Sequence, residues 1–351
     1  MHLQMDGIIF SLQRHGGISV LFRELLLRLG GADFRTTLSL EQPLQQDAPP
    51  ANGSGLSVEA RPARTGERFR ACRPVPAATV FHSTYYRLPA QRRLPTVVTV
   101  HDFAYERCVG GWRAAAHRWL KHAAIRQAQA IVCVSQATRD DLLEFVGVRP
   151  GQSLHVVYNG VSENYRPLGD AAAQGPPGAP CVLFVLFVGQ RGRYKNFALA
   201  AAALEHLPGL ELHCVGGGPL APAETAHVSA AVRSRIRHLG AVDDARLNAL
   251  YNAAVCLLYP SAYEGFGIPV AEAQRAGCPV VGLDTPAVRE VGGAGLTVAA
   301  PHPAALAEAV RSLLEPSLRA ERAAAGFVAA ARFSWARHFQ ESLAIYRALG
   351  A

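Results

Sequence analysis

Short apolar runs, each followed by a helical pattern, recur along this 351-residue chain in two sets, with one stretch between them that has neither. In the first set the runs 7–11, 79–82, 96–100, 131–134 and 154–157 read as strands, and 18–29, 112–127 and 136–145 as helices. In the second, strands 181–188, 210–215, 255–258 and 279–281 alternate with helices 196–206, 243–252, 267–276, 303–314 and 317–332. Strands this short and this continuously apolar are buried on both faces, which calls for parallel sheets covered by helices on either side. The reading is α/β, with two Rossmann-like β/α/β domains. The segment 167–180 (PLGDAAAQGPPGAP) is rich in Pro, Gly and Ala and reads as the linker. The predicted division is 1–166, linker 167–180, 181–334, and a last helix within 335–351 that packs back across the boundary. Residues 41–78, rich in Pro, Gly, Arg and Gln, read as loop. Two such domains place a cleft at the carboxyl ends of their strands, where ligands of these sheets bind.

Bulk properties remove several classes. The formal charge of +8 and a pI near 9.3 fit phosphorylated substrates or an anionic membrane surface. The basic residues are scattered, without a recognition helix or stacking platform, so nucleic acid is not an expected partner. Seven cysteines are odd in number and form no CxxC; Cys133, Cys181, Cys214, Cys256 and Cys278 lie in or beside apolar runs. Reduced core thiols and a reducing, cytoplasmic compartment follow, with no disulfide framework or metal cluster. Residues 1–10 carry an acid and lack the apolar centre of a signal peptide. The longest apolar run, 181–188, is too short to span a bilayer, so any membrane contact is peripheral. Asp-x-Asp, HExxH, P-loop and GxSxG patterns are absent.

The stretch 263–281, YEGFGIPVAEAQRAGCPVV, carries the most chemistry. Glu264 precedes a helix and Glu272 lies inside it, about two turns plus ~80° further round at ~100° per residue. Gly265 and Gly267, flanking Phe266, let a ligand approach the backbone, and the helix start favours an anion. This suits a polyhydroxylated, phosphorylated ligand such as a nucleotide-sugar; a capped helix with surface glutamates is the plainer alternative. The loop 189–196, GQRGRYKN, follows a buried strand and opens a helix, so Gly189, Arg191, Arg193 and Lys195 form a candidate diphosphate site. Gly16 and Gly17 follow the first strand of the first domain, as a phosphate approach or a plain tight turn. His101 ends strand 96–100, placed for a sugar hydroxyl, proton transfer or a structural role. His82 ends strand 79–82, and with Tyr85 and Tyr86 it forms a candidate acceptor surface. The glycines 216–218 match a dinucleotide fingerprint only loosely, because Pro219 follows and no acid lies ~20 residues on at a clear strand end.

Taken together, GIIFSLQRHGGIS (7–19), FHSTYYRLP (81–89), TVVTVHDF (96–103), VSQATRDDL (134–142), VVYNGV (156–161), FVGQRGRYKNF (187–197), VGGGPL (215–220) and 263–281 resemble the retaining glycosyltransferases of family 4, of GT-B fold. That resemblance covers nearly the whole chain. It implies that Glu264 contacts the donor sugar and Glu272 the ribose, with the backbone of Gly265, Phe266 and Gly267 close to sugar and phosphate. Lys195 matches the phosphate-binding lysine, Gly17 faces the diphosphate, and His101 matches the histidine at the donor sugar. Tyr194 stands where the family commonly has arginine, and Arg191, ahead of Arg193, is the favoured replacement for that charge. EVGGA (290–294) lacks an aspartate often found after its first glycine. The implied activity is hexosyl transfer with retention and without a metal or other cofactor, the nucleotide-sugar being a substrate. Mannosyl transfer from GDP-mannose to a saccharide or lipid-linked saccharide, in cell-surface polysaccharide (O-antigen) synthesis, is the leading reading. A lipid-linked acceptor would set the basic first domain near the inner membrane face. The alternatives are a GT-B nucleotide-sugar epimerase, an NAD-dependent dehydrogenase using the Gly216 loop, and a non-catalytic binding protein.

Overall fold

A computed structural model describes residues 1–13, 16–42, 55–169 and 182–350. The chain forms two compact units: Met1–Gly160 together with Ser334–Ala351, and Val161–Phe333. In the first, β1 (His2–Asp6), β2 (Arg35–Gln42), β3 (Leu56–Pro62), β4 (Val80–Ser83), β5 (Thr96–Val100), β6 (Ala130–Cys133) and β7 (Ser153–Val156) form one sheet in the order 3-2-1-4-5-6-7. In the second, β8 (Phe184–Val188), β9 (Glu211–Val215), β10 (Ile236–Gly240), β11 (Leu257–Tyr259), β12 (Val280–Leu283) and β13 (Leu296–Ala299) run in the order 10-9-8-11-12-13. Every strand pair in both sheets is parallel. Each sheet is doubly wound. The chain moves outward from its first strand, returns, and moves out the other way, so the order reverses between β1 and β4 and between β8 and β11. At such a reversal the loops leave in opposite directions and open a crevice beyond the carboxyl ends of the strands.

Most of the buried strands lie where the apolar runs predict them; β2, with polar residues at most of its buried positions, does not. Phe184–Val188 is buried at all five positions, as is Thr96–Val100. Val185, Phe187, Leu258, Val281 and Leu283 of the second sheet pack with Phe197, Leu204, Leu306 and Val310 of its helices into one core. The last helix, Trp335–Gly350, belongs to the first unit, where the Tyr346 hydroxyl meets His82 Nδ1 at 2.7 Å. Residues 161–168 are tied to the second unit: Asn248 Oδ1 accepts from Arg166 N, and Asn252 Oδ1 from Leu168 N. The division thus falls at Gly160, ahead of the predicted 166, while 170–180 of the predicted linker lies outside the described residues.

The sequence reading has no counterpart for β2, β10, β13 or the helix Pro286–Gly292, and two further elements of the first unit differ from it. The predicted strand 7–11 is a short helix, Ile8–Leu12, and the strand precedes it at His2–Asp6. Asp6 Oδ1 accepts from Ile8 N at 2.9 Å and turns the chain at Gly7, so the apolar run IIF is spent on a helical turn. A short apolar run looks alike in either state, whereas the true strand alternates polar and apolar. Within the predicted loop 41–78, Leu56–Pro62 is a strand paired along its whole length with β2. It is the edge of the sheet and mostly exposed, so it has no apolar run to show. Residues 43–54 lie outside the described residues.

Candidate active site

The reversal point of the second sheet brings together the loops after β8 and β11. Tyr194 O accepts from Ala262 N at 2.8 Å, and Asn196 Nδ2 donates to Pro260 O at 2.9 Å. Asn196 takes a left-handed conformation (φ 52°), which its short polar side chain tolerates, and helix Phe197–Ala203 starts there. Between these ties, Lys195 Nζ donates to Glu264 Oε1 at 2.6 Å and to the Tyr259 hydroxyl at 3.2 Å. The Lys195 side chain is 17% exposed and that of Glu264 10% exposed, so the pair is recessed but open to a ligand. Gly265 and Phe266 follow, Phe266 packing edge-to-face on Phe333, and Gly267 (φ 97°, ψ 54°) caps helix Ile268–Arg275 in a conformation that disfavours any side chain.

Glu272 lies in the second turn of that helix. Tyr251 donates its hydroxyl to Glu272 Oε2 at 3.1 Å. Desolvation pushes the Glu272 carboxyl up to about 7, against the hydroxyls of Tyr251 and Tyr165, which favour the ionised form. The Tyr165 hydroxyl donates to Asp244 Oδ1 at 3.1 Å. A cavity of about 400 Å³ opens at the carboxyl ends of β12 and β13 and reaches Asn196 and Ala262. That volume falls in the range of small-ligand pockets.

Arg191 is placed otherwise than the sequence reading has it. Its Nε donates to Glu224 Oε1 at 2.7 Å, and its two terminal nitrogens reach the carbonyls of Gly216, Gly218 and Pro219. The guanidinium is thus spent on bracing the glycine run after β9. That run in turn serves as the seat of Arg191: a Cβ on Gly217 would lie 2.7 Å from a guanidinium nitrogen. Arg193 lies in the turn Arg193–Lys195, and its side chain is outside the described atoms. Gly189 follows β8 with φ 123°, its N–H donating to Val215 O.

In the first unit, His101 follows β5 and is 8% exposed. Its Nε2 is buried without a hydrogen-bond partner among the described residues, and its ring meets Phe22 edge-on. Burial first, then the charges of His338 and Lys121, push its imidazole down to about 3, so it is neutral at physiological pH. The loop is held from behind by Lys121, fully buried, whose Nζ donates to Asp102 O at 3.0 Å and to Glu106 Oε2 at 2.6 Å. Gly16 precedes and Gly17 opens helix Gly17–Leu29; residues 14 and 15 lie outside the described residues.

The predicted acceptor surface at His82 is not formed. His82 is 2% exposed, and both ring nitrogens are taken, Nδ1 by Tyr346 and Nε2 by Thr99 Oγ1 at 2.9 Å. Tyr86 is buried with a positive φ of 62°, and its hydroxyl faces His101 N at 3.5 Å. Tyr85, half-buried, meets His117 Nε2 at 3.1 Å. These side chains brace the loops around His101.

Sequence reasoning passed over Tyr259, Tyr251, Tyr165 and Lys121. Tyr251 and Tyr259 sit in or beside apolar runs and read as core, Tyr165 lies in the polar stretch SENYRP (162–167), and nothing local marks Lys121 as turned inward. A further cluster, Asp6, Glu41 and Cys72, holds its possible ligand atoms within 4.8 Å of one another. Arg87 already occupies its charge, 2.5 Å from Glu41, 2.6 Å from Glu67 and 3.5 Å from Asp6. Burial pushes Asp6 up to about 7 and the Cys72 thiol upward. The donor set therefore fits a charge-paired brace better than a cation. Of the six described cysteines all but Cys108 are buried.

Comparison with known proteins agrees with this geometry. Residues 16–165 match the family model described as Glycosyltransferase Family 4, and residues 183–316 the model described as Glycosyl transferases group 1. The chain is 31% identical over 312 residues to alpha-maltose-1-phosphate synthase of Mycolicibacterium smegmatis, covering 78% of this chain and 80% of that protein. It is 40% identical to the O-antigen chain mannosyltransferase B of Escherichia coli over 116 residues, 32% of this chain and 30% of the other. Among solved structures, HepE of Anabaena in complex with UDP-glucose superposes with a TM-score of 0.75 at 17% identity, covering 99% of this chain and 100% of that one. The chain therefore belongs to the group 1 glycosyltransferases of family 4, with the GT-B fold of two Rossmann-like domains.

Proposed function

We propose that the Lys195–Glu264 pair is the donor end of a metal-independent hexosyltransferase, and that this one contact carries the reading. As a member of family 4 the chain is a retaining glycosyltransferase that uses a nucleotide-sugar. Departure of the nucleoside diphosphate builds negative charge on its β-phosphate. Lys195 supplies the opposing charge in a recessed site, where a charge is worth more than in open water. Without donor, Glu264 balances Lys195; with donor, the lysine turns to phosphate and the freed carboxylate takes sugar hydroxyls. Glu272 takes the ribose hydroxyls, accepting most strongly when ionised. Arg191 acts one step back, by holding the glycine run.

His101, its imidazole pushed down to about 3 and neutral, is a poor proton acceptor and orients the sugar instead of acting as the base. The acceptor hydroxyl attacks on the face the phosphate leaves, and the leaving phosphate oxygen takes its proton, which gives retention without an enzymatic nucleophile. The donor we favour is GDP-mannose and the acceptor a saccharide or lipid-linked saccharide of a cell-surface polysaccharide. The partial likeness to the O-antigen mannosyltransferase supports it; UDP-glucose, the ligand of HepE, is the first competitor.

The test is product analysis with GDP-, UDP-, dTDP- and ADP-sugars, with and without acceptor, before and after exhaustive chelation. We expect an anomer-retained glycoside with one donor class and undiminished rate in chelator. Interconversion of the donor sugar without acceptor would make the protein an epimerase. A strict manganese or magnesium requirement for the chemical step would remove the role given to Lys195.

A further inference from the structure

Helix Trp112–Gln127 of the first unit turns two tryptophans outward. Trp112 is 76% exposed and Trp119 70% exposed. They stand seven residues apart, on nearly the same face and about 10 Å apart along the axis. The inward face is Ala114, His117, Lys121, Ala124 and Ile125, so packing does not call for either indole. The helix, WRAAAHRWLKHAAIRQ, holds four basic residues and no acid. Lys121 is turned inward onto Glu106, whereas Arg113 and Arg126 are exposed. The Arg113 guanidinium carbon lies 5.1 Å from the centre of the Trp112 ring.

We propose that this face docks on an anionic lipid bilayer. Indole rings settle at the level of the headgroups, apolar body inward and N–H toward water, while guanidinium groups meet anionic lipid. A helix with exposed tryptophan, exposed arginine and no acid matches that interface in both polarity and charge. A second copy of the chain fits less well, because a two-fold contact would set identical arginines against each other. No described helix is long and apolar enough to cross a membrane, so this contact is peripheral. The inference rests on the helix surface and is independent of the transfer reaction.

The test uses the full chain with vesicles of phosphatidylcholine, alone or mixed with phosphatidylglycerol. Of the three tryptophans, Trp335 is 5% exposed, so a blue shift of indole emission on vesicle addition reports Trp112 and Trp119. We expect binding and a blue shift on the anionic vesicles only, both weakened by high salt. W112A/W119A should lower vesicle affinity about tenfold or more. R113Q/R126Q should lower it about fivefold per charge at low salt and flatten the salt dependence. Transfer to a water-soluble acceptor should be unchanged in both variants, which separates this surface from the donor site. No vesicle binding by the wild type, or equal binding by both variants, would overturn the proposal. So would a dimer that W112A/W119A converts to monomer without any vesicle binding.

Discussion

Two lysines of this molecule make the same bond and do different work. Lys121 in the first unit and Lys195 in the second each lie 2.6 Å from a glutamate oxygen. The Lys121 and Glu106 side chains are 0% and 4% exposed, and the ammonium also holds the Asp102 carbonyl and sits 4.2 Å from the centre of the Phe103 ring. Those of Lys195 and Glu264 are 17% and 10% exposed, at the mouth of the second sheet's reversal point. Coulomb attraction alone does not tell the two pairs apart; access does. A sealed pair admits no ligand, so its charge is committed to the groups it already holds. A recessed but open pair can exchange its carboxylate for a ligand phosphate.

The largest effect should come from breaking the sealed pair. Lys121→Met leaves Glu106 buried with, among the described residues, only a hydrogen bond from His122, whose imidazole burial pushes down, and should cost about 3–5 kcal/mol in urea unfolding. A loss under ~1 kcal/mol would mean that the pair is not sealed. Lys195→Ala should do the reverse, lowering kcat by ~10²–10³ while changing stability by less than ~1 kcal/mol. Near-normal turnover of the folded variant would refute its role.

Glu272 sharpens the comparison through pH. Its carboxyl is pushed up to about 7 in the folded chain, from an ordinary value of 4.5. The folded state therefore binds more protons between these limits, and stability falls as pH rises from about 4.5 to about 7. Glu272→Gln should remove that part of the slope, a relative gain on the order of 3 kcal/mol at pH 8. The same ionisation favours ribose binding, so nucleotide affinity should rise between pH 6 and 8 in the wild type and not in the variant. Parallel pH profiles for the two proteins would dismiss both statements. The smallest effect should be Tyr259→Phe, which removes one hydroxyl from Lys195 and should weaken donor binding about fivefold, near 1 kcal/mol, by calorimetry.

The legible part of the fold was its buried strands. Phe184–Val188 and Thr96–Val100 have no polar face to hide in, so their composition announces them. Leu56–Pro62, at the sheet edge, and His2–Asp6, which alternates, gave no such signal. At the site, the spacing of Glu264 and Glu272 and the basic loop ending in Lys195 were visible as chemistry. Which charge was spoken for was not: Arg191 and Lys195 look equivalent in GQRGRYKN, and their difference rests on Glu224, thirty-three residues on.

The chain's own order of residues determined two parallel sheets, their helices, and two loops carrying acids and bases to the strand ends, because burial pattern and turn chemistry are local properties. Only the folded arrangement decided that Lys195 meets Glu264, that Arg191 is spent on the glycine run, that His82 is sealed in the core and that Lys121 points inward. Those outcomes depend on solvent access and on partners far away in sequence, and a charge acquires its task from the groups that surround it.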